Sequence, residues 1–313
     1  MALRILPALL SLLLLGPVQA QEDRQWIAAG DSLLAIDRPQ KAIAFFDKAV
    51  AKYPTANSYS ARARGWYLMD RMDRYLQDVD KALKLDSLHI EANYQRAVYA
   101  LRGEDNTAAD RFASRALDHG ARAPLRSKLL VVRGEARAAL KRNAPAIADL
   151  QEGLGDRTDD LPALKTLARL QDAVGDHAAS LAVLEKLCSV EPREIGNWTN
   201  RGYELAELGR YEEALKVYEQ ALALDKDEPT VLSNRAYALL QLGREAEALS
   251  DVERSLKAYP ANPYALRTRA IIRLRKGERD KACADLSLAK ILGEVPRVDE
   301  LIKEHCDGGT PRH

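Results

Sequence analysis

The fold is decided by the stretch Trp198–Leu222, which reads WTNRGYELAELGRYEEALKVYEQAL. It divides into two helical segments on either side of Gly209, where a glycine followed by an arginine interrupts the apolar periodicity. The positions at which two helices would approach closely are all small: Gly202, Ala214 and Ala221. The stretch therefore predicts a hairpin of two packed helices joined by a tight turn.

The same pattern recurs along the chain with a period of 34 residues. Mostly small residues occupy the position equivalent to Ala214: Ala42, Tyr75, Ala109, Ala146, Ser180, Ala214, Ala248 and Ala282. The gap between Ala109 and Ala146 is 37, which predicts a longer loop near Pro124. A period of this size indicates stacked helical units that bury their apolar faces against their neighbours. The predicted units begin near Asp23, Ala56, Ile90, Ser127, Leu161, Ile195, Pro229 and Pro263.

The unit that begins at Ile195 resembles the tetratricopeptide repeat (TPR) at nearly every signature position, with Leu205 where the family often has tyrosine. The resemblance implies an all-α fold, a right-handed TPR solenoid of about eight helix-turn-helix repeats over residues 21–293. A capping helix over residues 294–306 and a disordered tail over residues 307–313 would follow. No linker rich in proline, glycine or serine interrupts the repeats, so we expect one elongated solenoid.

The first 20 residues have the pattern of a secretory signal peptide. A short basic start precedes an uncharged apolar run, Ile5–Leu15, and the cleavage pattern Val18-Gln19-Ala20 follows. The run is too short to remain as a membrane span, and no cysteine follows the cleavage site to accept a lipid. We therefore expect a mature chain that begins at Gln21, is periplasmic or secreted, and is not stably inserted in a membrane. A buried N-terminal helix is the alternative.

Charge and composition argue against nucleic-acid binding and against catalysis. The net charge is +1, and charged residues make up 30% of the chain with both signs interspersed, which is typical of a solvated helical surface. The five histidines share no spacing that suits a metal site or a catalytic triad. The segment Gly153-Leu154-Gly155 lacks the lysine and the strand of a phosphate loop. We predict no enzyme activity, no cofactor, no metal site and no nucleic-acid partner.

Two of the three cysteines lie at the C-terminal end of the repeats. Cys283 follows the small position of the last unit, and Cys306 lies on a predicted helix that begins near Pro296. This region resembles the last repeat and cap of many exported bacterial TPR proteins, in which the two cysteines are bridged. The resemblance implies a Cys283–Cys306 disulfide, with unpaired thiols or metal binding as alternatives. We expect Cys188 to be a free, buried residue.

An arginine and an aspartate recur together inside the repeats. Four units contain both residues: Arg62 with Asp78, Arg133 with Asp149, Arg235 with Asp251, and Arg269 with Asp285. We predict that each pair joins the two helices of one repeat and sets their register, with a net contribution of about 0 to 1 kcal/mol. Arg96 and Arg201 lack the aspartate, which leaves a ligand-binding role open for them.

The candidate binding residues follow from the resemblance, because the first helix of each TPR lines the concave groove. The predicted peptide-binding residues are Asn200, Tyr203, Asn234, Tyr237, Tyr264 and Arg267. An asparagine offers both a donor and an acceptor to the backbone of an extended peptide, and tyrosine adds rigid contact area. The lysines of the carboxylate-clamp pattern are missing at the matching places, so that pattern is not assigned. Ordinary solvated residues remain the alternative.

These patterns predict an exported scaffold for protein–protein interaction, which binds a peptide or a partner helix in its concave groove. The expected partner is therefore a protein or a peptide. A carbohydrate- or cell-envelope-binding accessory factor is the alternative, because tyrosine rings stack on sugar rings as well as on side chains.

Overall fold

The computed structural model describes residues 15–306, with side chains from residue 22 onward. Within these residues the backbone forms seventeen α-helices and no strand. The helices are α1 (Leu15–Ala35), α2 (Pro39–Lys52), α3 (Ala56–Leu68), α4 (Met72–Leu85), α5 (Ile90–Arg102), α6 (Asn106–Asp118), α7 (Leu125–Ala139), α8 (Asn143–Leu154), α9 (Leu161–Ala173), α10 (His177–Val190), α11 (Ile195–Glu207), α12 (Tyr211–Leu224), α13 (Pro229–Gln241), α14 (Glu245–Ala258), α15 (Pro263–Arg275), α16 (Arg279–Leu292) and α17 (Val298–His305). Residues 1–14 of the predicted signal peptide and the predicted tail, 307–313, lie outside the described residues.

The first sixteen of these helices form eight consecutive helix-turn-helix hairpins. Six first helices begin at the residue expected from the repeat: Ala56, Ile90, Leu161, Ile195, Pro229 and Pro263. α1 is already helical at Leu15, the first described residue, and α7 begins at Leu125 rather than near Ser127. The longer connection expected near Pro124 is the loop between α6 and α7. The predicted all-α, TPR-type fold is therefore confirmed.

The hairpins belong to two compact units, which adjoin in the sequence at Gly155 and Asp156. The first unit contains α1–α8, and the second contains α9–α17. In each unit the two helices of a hairpin pack together, and the first helices of most successive hairpins also pack against each other. α13 accordingly contacts both α11 and α15 in the second unit. This packing brings equivalent residues of neighbouring repeats onto one face.

Each hairpin turn contains one residue with a left-handed backbone conformation. In the second unit this residue is glycine, with φ between 74° and 78°: Gly175, Gly209, Gly243 and Gly277. In the first unit it carries a side chain, with φ between 53° and 60°: Asp37, Asp70, Glu104 and Lys141. At Gly209 the turn is closed by hydrogen bonds from two successive amides to the carbonyls of Ala206 and Leu205. Because side chains disfavour positive φ, the turns of the first unit carry backbone strain that glycine avoids in the second.

Close approach between the helices of a hairpin depends on small residues, as the sequence predicted. A Cβ atom added to Gly202 would overlap the ring of Tyr218, which is fully buried. A Cβ atom on Gly30 would overlap Phe46 in the same way. The glycine therefore leaves room for an aromatic ring in the core of these two repeats.

The predicted Arg–Asp pairs are all formed. Each arginine donates two hydrogen bonds of 2.6–2.9 Å to the carboxylate of its aspartate, and each aspartate is buried: Asp78, Asp149, Asp251 and Asp285. Arg96 and Arg201 instead approach Asp80 and Glu185 at 3.4 and 3.2 Å. The pairs cross-link the two helices of a repeat, so their role is structural.

The last hairpin is covered by α17, whose Val298 and Leu301 pack with Leu286 of α16. A disulfide joins Cys283 of α16 to Cys306 at the end of α17, so the predicted pairing is the one found. Cys188 is free and buried, and burial raises the pKa of its thiol to about 11. Among the described residues, none of the helices has the length and apolar character that crossing a bilayer requires.

Candidate functional site

The six residues predicted for the groove lie on three neighbouring first helices of the second unit. Asn200 and Tyr203 are on α11, Asn234 and Tyr237 are on α13, and Tyr264 and Arg267 are on α15. The two residues of each helix are three positions apart, so they share one side of that helix. Since α13 packs against both α11 and α15, the structure brings these residues together. We call this surface the groove face.

The two asparagines of the groove face hold the same place in successive repeats. Asn200 is exposed and Asn234 is half-buried. Neither side chain makes a hydrogen bond within the part of the chain that the structure describes. The buried Asn197, on the same helix as Asn200, in contrast donates to Glu191. The amide donors and acceptors of Asn200 and Asn234 are therefore available to a ligand.

Arg267 lies between the rings of two tyrosines. Its guanidinium carbon is 5.0 Å from the ring centre of Tyr237 and 5.7 Å from that of Tyr264, which is cation–π distance. One terminal nitrogen donates to the carbonyl of Pro296 at 3.3 Å, while Nε is buried and has no partner among the described residues. Burial lowers the pKa of Arg267, and the neighbouring Tyr237 and Tyr264 oppose that effect. A cation with few hydrogen bonds thus lies at the groove face.

Glu207, at the end of α11, is an acidic residue close enough to act electrostatically on this cluster, and sequence reasoning did not single it out. Burial raises the pKa of Tyr203 to about 12, and the charge of Glu207 contributes to the rise. The same carboxylate acts electrostatically on Arg267, yet no ion pair joins the two within the described residues. Glu207 and Arg267 therefore give the groove face charges of both signs that a ligand can contact.

Next to Asn200 and Tyr203 is an open cleft of about 420 Å³. Its other charged lining residues come mainly from α9 and α11: Lys165, Arg169, Asp172, Glu194 and Glu204. The cleft belongs wholly to the second unit. Its lining mixes charged side chains of both signs with apolar ones such as Leu184 and Leu187, which suits a peptide that carries both kinds of side chain.

Asp172 and Glu204 line this cleft, and together with the neighbouring His177 they provide the ligand types that a metal ion takes. The sequence predicted no metal site, because the histidines share no spacing. A sequence signal for Glu204 was nevertheless available. The equivalent residues of three other repeats are apolar and buried: Leu170, Ala238 and Ile272. A buried glutamate at this position is thus an exception within the repeats.

Comparisons with known proteins identify TPR repeats in this part of the chain. Residues 202–243 match the family model described as TPR repeat, and residues 229–262 match the one described as tetratricopeptide repeat. Both matches fall in the second unit and include α13. This stretch therefore consists of TPR repeats, and it contains Tyr203, Asn234 and Tyr237 of the groove face. A search of curated protein sequences gave no match.

Several solved structures of TPR-type proteins are similar to the chain. MamA of AMB-1 is 19% identical, with a TM-score of 0.48 and coverage of 55% of this chain and 92% of that one. MamA from Desulfovibrio magneticus RS-1 is 15% identical, with a TM-score of 0.47 and coverage of 55% and 96%. The TPR domain of P58(IPK) is 18% identical, with a TM-score of 0.34 and coverage of 90% and 97%.

Proposed function

We propose that this protein is an exported TPR scaffold that binds a peptide or a helix of a partner protein at the groove face. The observation that carries the proposal is the pair Asn200 and Asn234. They occupy the same place on neighbouring helices, and their amides are unpaired within the described residues. An extended chain that runs across both helices could hydrogen-bond to each in turn.

The aromatic residues support the same ligand. Tyr203 and Tyr237 repeat one position, just as the two asparagines do, and Tyr264 follows on the next first helix. Tyr203 and Tyr264 are 38% and 46% exposed, although tyrosine usually buries most of its ring in a folded chain. Amphipathic rings of limited flexibility are enriched at protein interfaces. The groove face thus combines backbone-pairing amides with contact area for side chains.

The test is binding by a double variant, Asn200→Ala with Asn234→Ala. A partner is first captured from the cell-envelope fraction, and its binding segment is located on a peptide array. Stability should change by less than about 0.5 kcal/mol per site, because no core cavity is opened. Each lost hydrogen bond is typically worth about 0.5 to 1.5 kcal/mol, so the affinity should fall between about fivefold and 150-fold.

A matched control is the pair Gln220→Ala and Lys257→Ala, which removes two exposed polar side chains from the second helices α12 and α14. Its affinity should equal that of the wild type. If the asparagine variant binds as tightly as the control, the groove face is not the binding surface. Binding to a glycan array but to no peptide would likewise contradict the proposal.

Export rests on the sequence pattern of the first 20 residues. We propose cleavage after Ala20, so the exported protein should begin at Gln21. N-terminal sequencing of protein recovered from the periplasm or the medium tests this. An intact Met1 on protein that stays in the cytoplasm would refute export while leaving the groove proposal unaffected.

A further inference from the structure

Three helices of the second unit bring an aspartate, a histidine and a glutamate to one point. Asp172 lies in the last turn of α9, His177 is the first residue of α10, and Glu204 is on α11. One ligand atom from each residue lies within 4.8 Å of the other two. His177 Nδ1 is 2.8 Å from Glu204 Oε2 and 3.6 Å from Asp172 Oδ1. The imidazole nitrogen is therefore adjacent to both carboxylates.

The local fold holds these residues in place. A short turn containing Gly175 joins α9 to α10, so Asp172 and His177 cannot move far apart. Asp176 caps α10 by accepting a hydrogen bond from the amide of Ala179, which fixes the first turn of that helix. Glu204 is held by the packing of α11 against α10. The three ligand types thus come from rigid elements, as a preorganised site requires.

Glu204 is buried without a fixed cation. Its residue is 2% exposed, and one carboxylate oxygen accepts a hydrogen bond of 2.6 Å from Ser180 Oγ. No lysine or arginine forms an ion pair with Glu204 in the described part of the chain. Burial raises its pKa, while the hydrogen bonds from Ser180 and His177 oppose the rise. A buried carboxylate is costly unless a charge compensates it, and a bound cation would supply that charge.

The site also has an entry path and an open side. Asp172 and Glu204 line the cleft of about 420 Å³ beside Asn200 and Tyr203. The side chain of Asp172 is 39% exposed, so an ion can reach the cluster from solvent. Three protein ligands leave at least one coordination position for water or for an atom of a bound ligand.

We propose that Asp172, His177 and Glu204 bind one divalent transition-metal ion, with zinc as the best match. Zinc takes nitrogen from histidine and oxygen from aspartate or glutamate, commonly from three residues with a fourth position open. Calcium and magnesium fit less well, because they prefer oxygen ligands throughout. The metal site does not depend on peptide binding, so the metal proposal and the function proposed above are tested independently.

The test begins with purified, tag-free protein from which metal has been removed with a chelator. Zinc is then titrated into this protein, and binding is measured by calorimetry. We expect one ion per chain, with a melting temperature that rises as zinc is added. Cobalt substituted for zinc should give visible absorption bands of a low-coordinate site. His177→Ala should weaken zinc binding by more than about 10-fold. Loss of a residue that only hydrogen-bonds to a metal ligand already lowers metal affinity by at least about that factor.

His119→Ala is the matched control, because His119 is exposed at the C-terminal end of α6 and its Nδ1 lies 2.8 Å from the carbonyl oxygen of Arg115 in the last turn of that helix. Its zinc affinity should equal that of the wild type. Asp172→Asn provides a second ligand variant at a partly exposed position, which keeps the test decisive if His177→Ala does not fold. No stoichiometric binding by the wild type, or equal affinity in the ligand variants and the control, would show a metal-free Ser180–Glu204–His177 network and overturn the proposal.

Discussion

Replacing Gly202 by alanine is expected to destabilise the second unit. The new methyl group would overlap one ring carbon of Tyr218 and lie 2.7 and 2.8 Å from two others. The ring has no room to move, because Tyr218 is 0% exposed. Overpacking of a filled core costs about 1 to 3 kcal/mol, against which alanine gains about 0.5 to 1 kcal/mol over glycine inside a helix. The net loss should therefore lie between about 0 and 2.5 kcal/mol, towards the upper end because the overlapped ring is fully buried.

The repeats themselves provide the compensating change. The next repeat has Ala236 where this one has Gly202, and Val252 where this one has Tyr218. Val252 and Ala236 are both 0% exposed, so a valine at this position packs in the core opposite an alanine. In a Tyr218→Val background, Gly202→Ala should therefore be neutral or stabilising. The two substitutions should couple by about 1 to 3 kcal/mol, as contacting core residues do.

The assay is guanidinium unfolding of the four proteins of this double-mutant cycle, followed by far-UV circular dichroism. Gly196→Ala is the control, because a Cβ atom there meets only the flexible end of Glu194, at 3.3 Å, and its midpoint should equal or slightly exceed that of the wild type. The reasoning is refuted if Gly202→Ala unfolds at the wild-type midpoint. The reasoning is also refuted if Gly202→Ala lowers the free energy of unfolding by the same amount with tyrosine and with valine at position 218.

Three further perturbations test the turns, the cap and the groove face. Lys141→Gly should stabilise the first unit by about 1 kcal/mol, because glycine adopts the φ of 59° without strain. A thermal melt measures this, and an unchanged or lower melting temperature would contradict it. Cys306→Ser should destabilise the last repeat by about 3 kcal/mol through loss of the cross-link over a sequence separation of 23, and reductant should then have no further effect. The pKa of Tyr203 is raised to about 12 in the folded protein, so unfolding should become easier as the pH rises from about 10 towards 12. Tyr203→Phe should show a weaker alkaline decline, whereas an unchanged pH profile would exclude Tyr203 as a contributor.

The periodic features of the chain could be predicted from the sequence. Helix starts such as Ile195 and Pro229 follow from the 34-residue spacing, and the Arg235–Asp251 pair follows from the joint recurrence of its two residue types. Each of these features repeats because each hairpin packs against its neighbours through equivalent surfaces. The Cys283–Cys306 pairing followed from the family resemblance rather than from spacing.

Features that occur at one place only and carry no family signature were mostly missed by sequence reasoning. Asp172, His177 and Glu204 come from three helices, and nothing in their sequence separation indicates that they meet. The position of Arg267 between Tyr237 and Tyr264 depends on the packing of α15 against α13 and on the side-chain conformations.

Some residue types recur between repeats because the packing of the helices requires them, whereas others recur although packing does not require them. Gly202 and Ala236 are small because a ring or a branched side chain fills the space opposite. Asn200 and Asn234 also agree between the same two repeats, but one is exposed, and neither side chain hydrogen-bonds to another described residue. Packing therefore requires the first pair and leaves the second unexplained. A repeated polar side chain that the fold does not use is the signature expected of a surface that contacts an extended partner once per repeat.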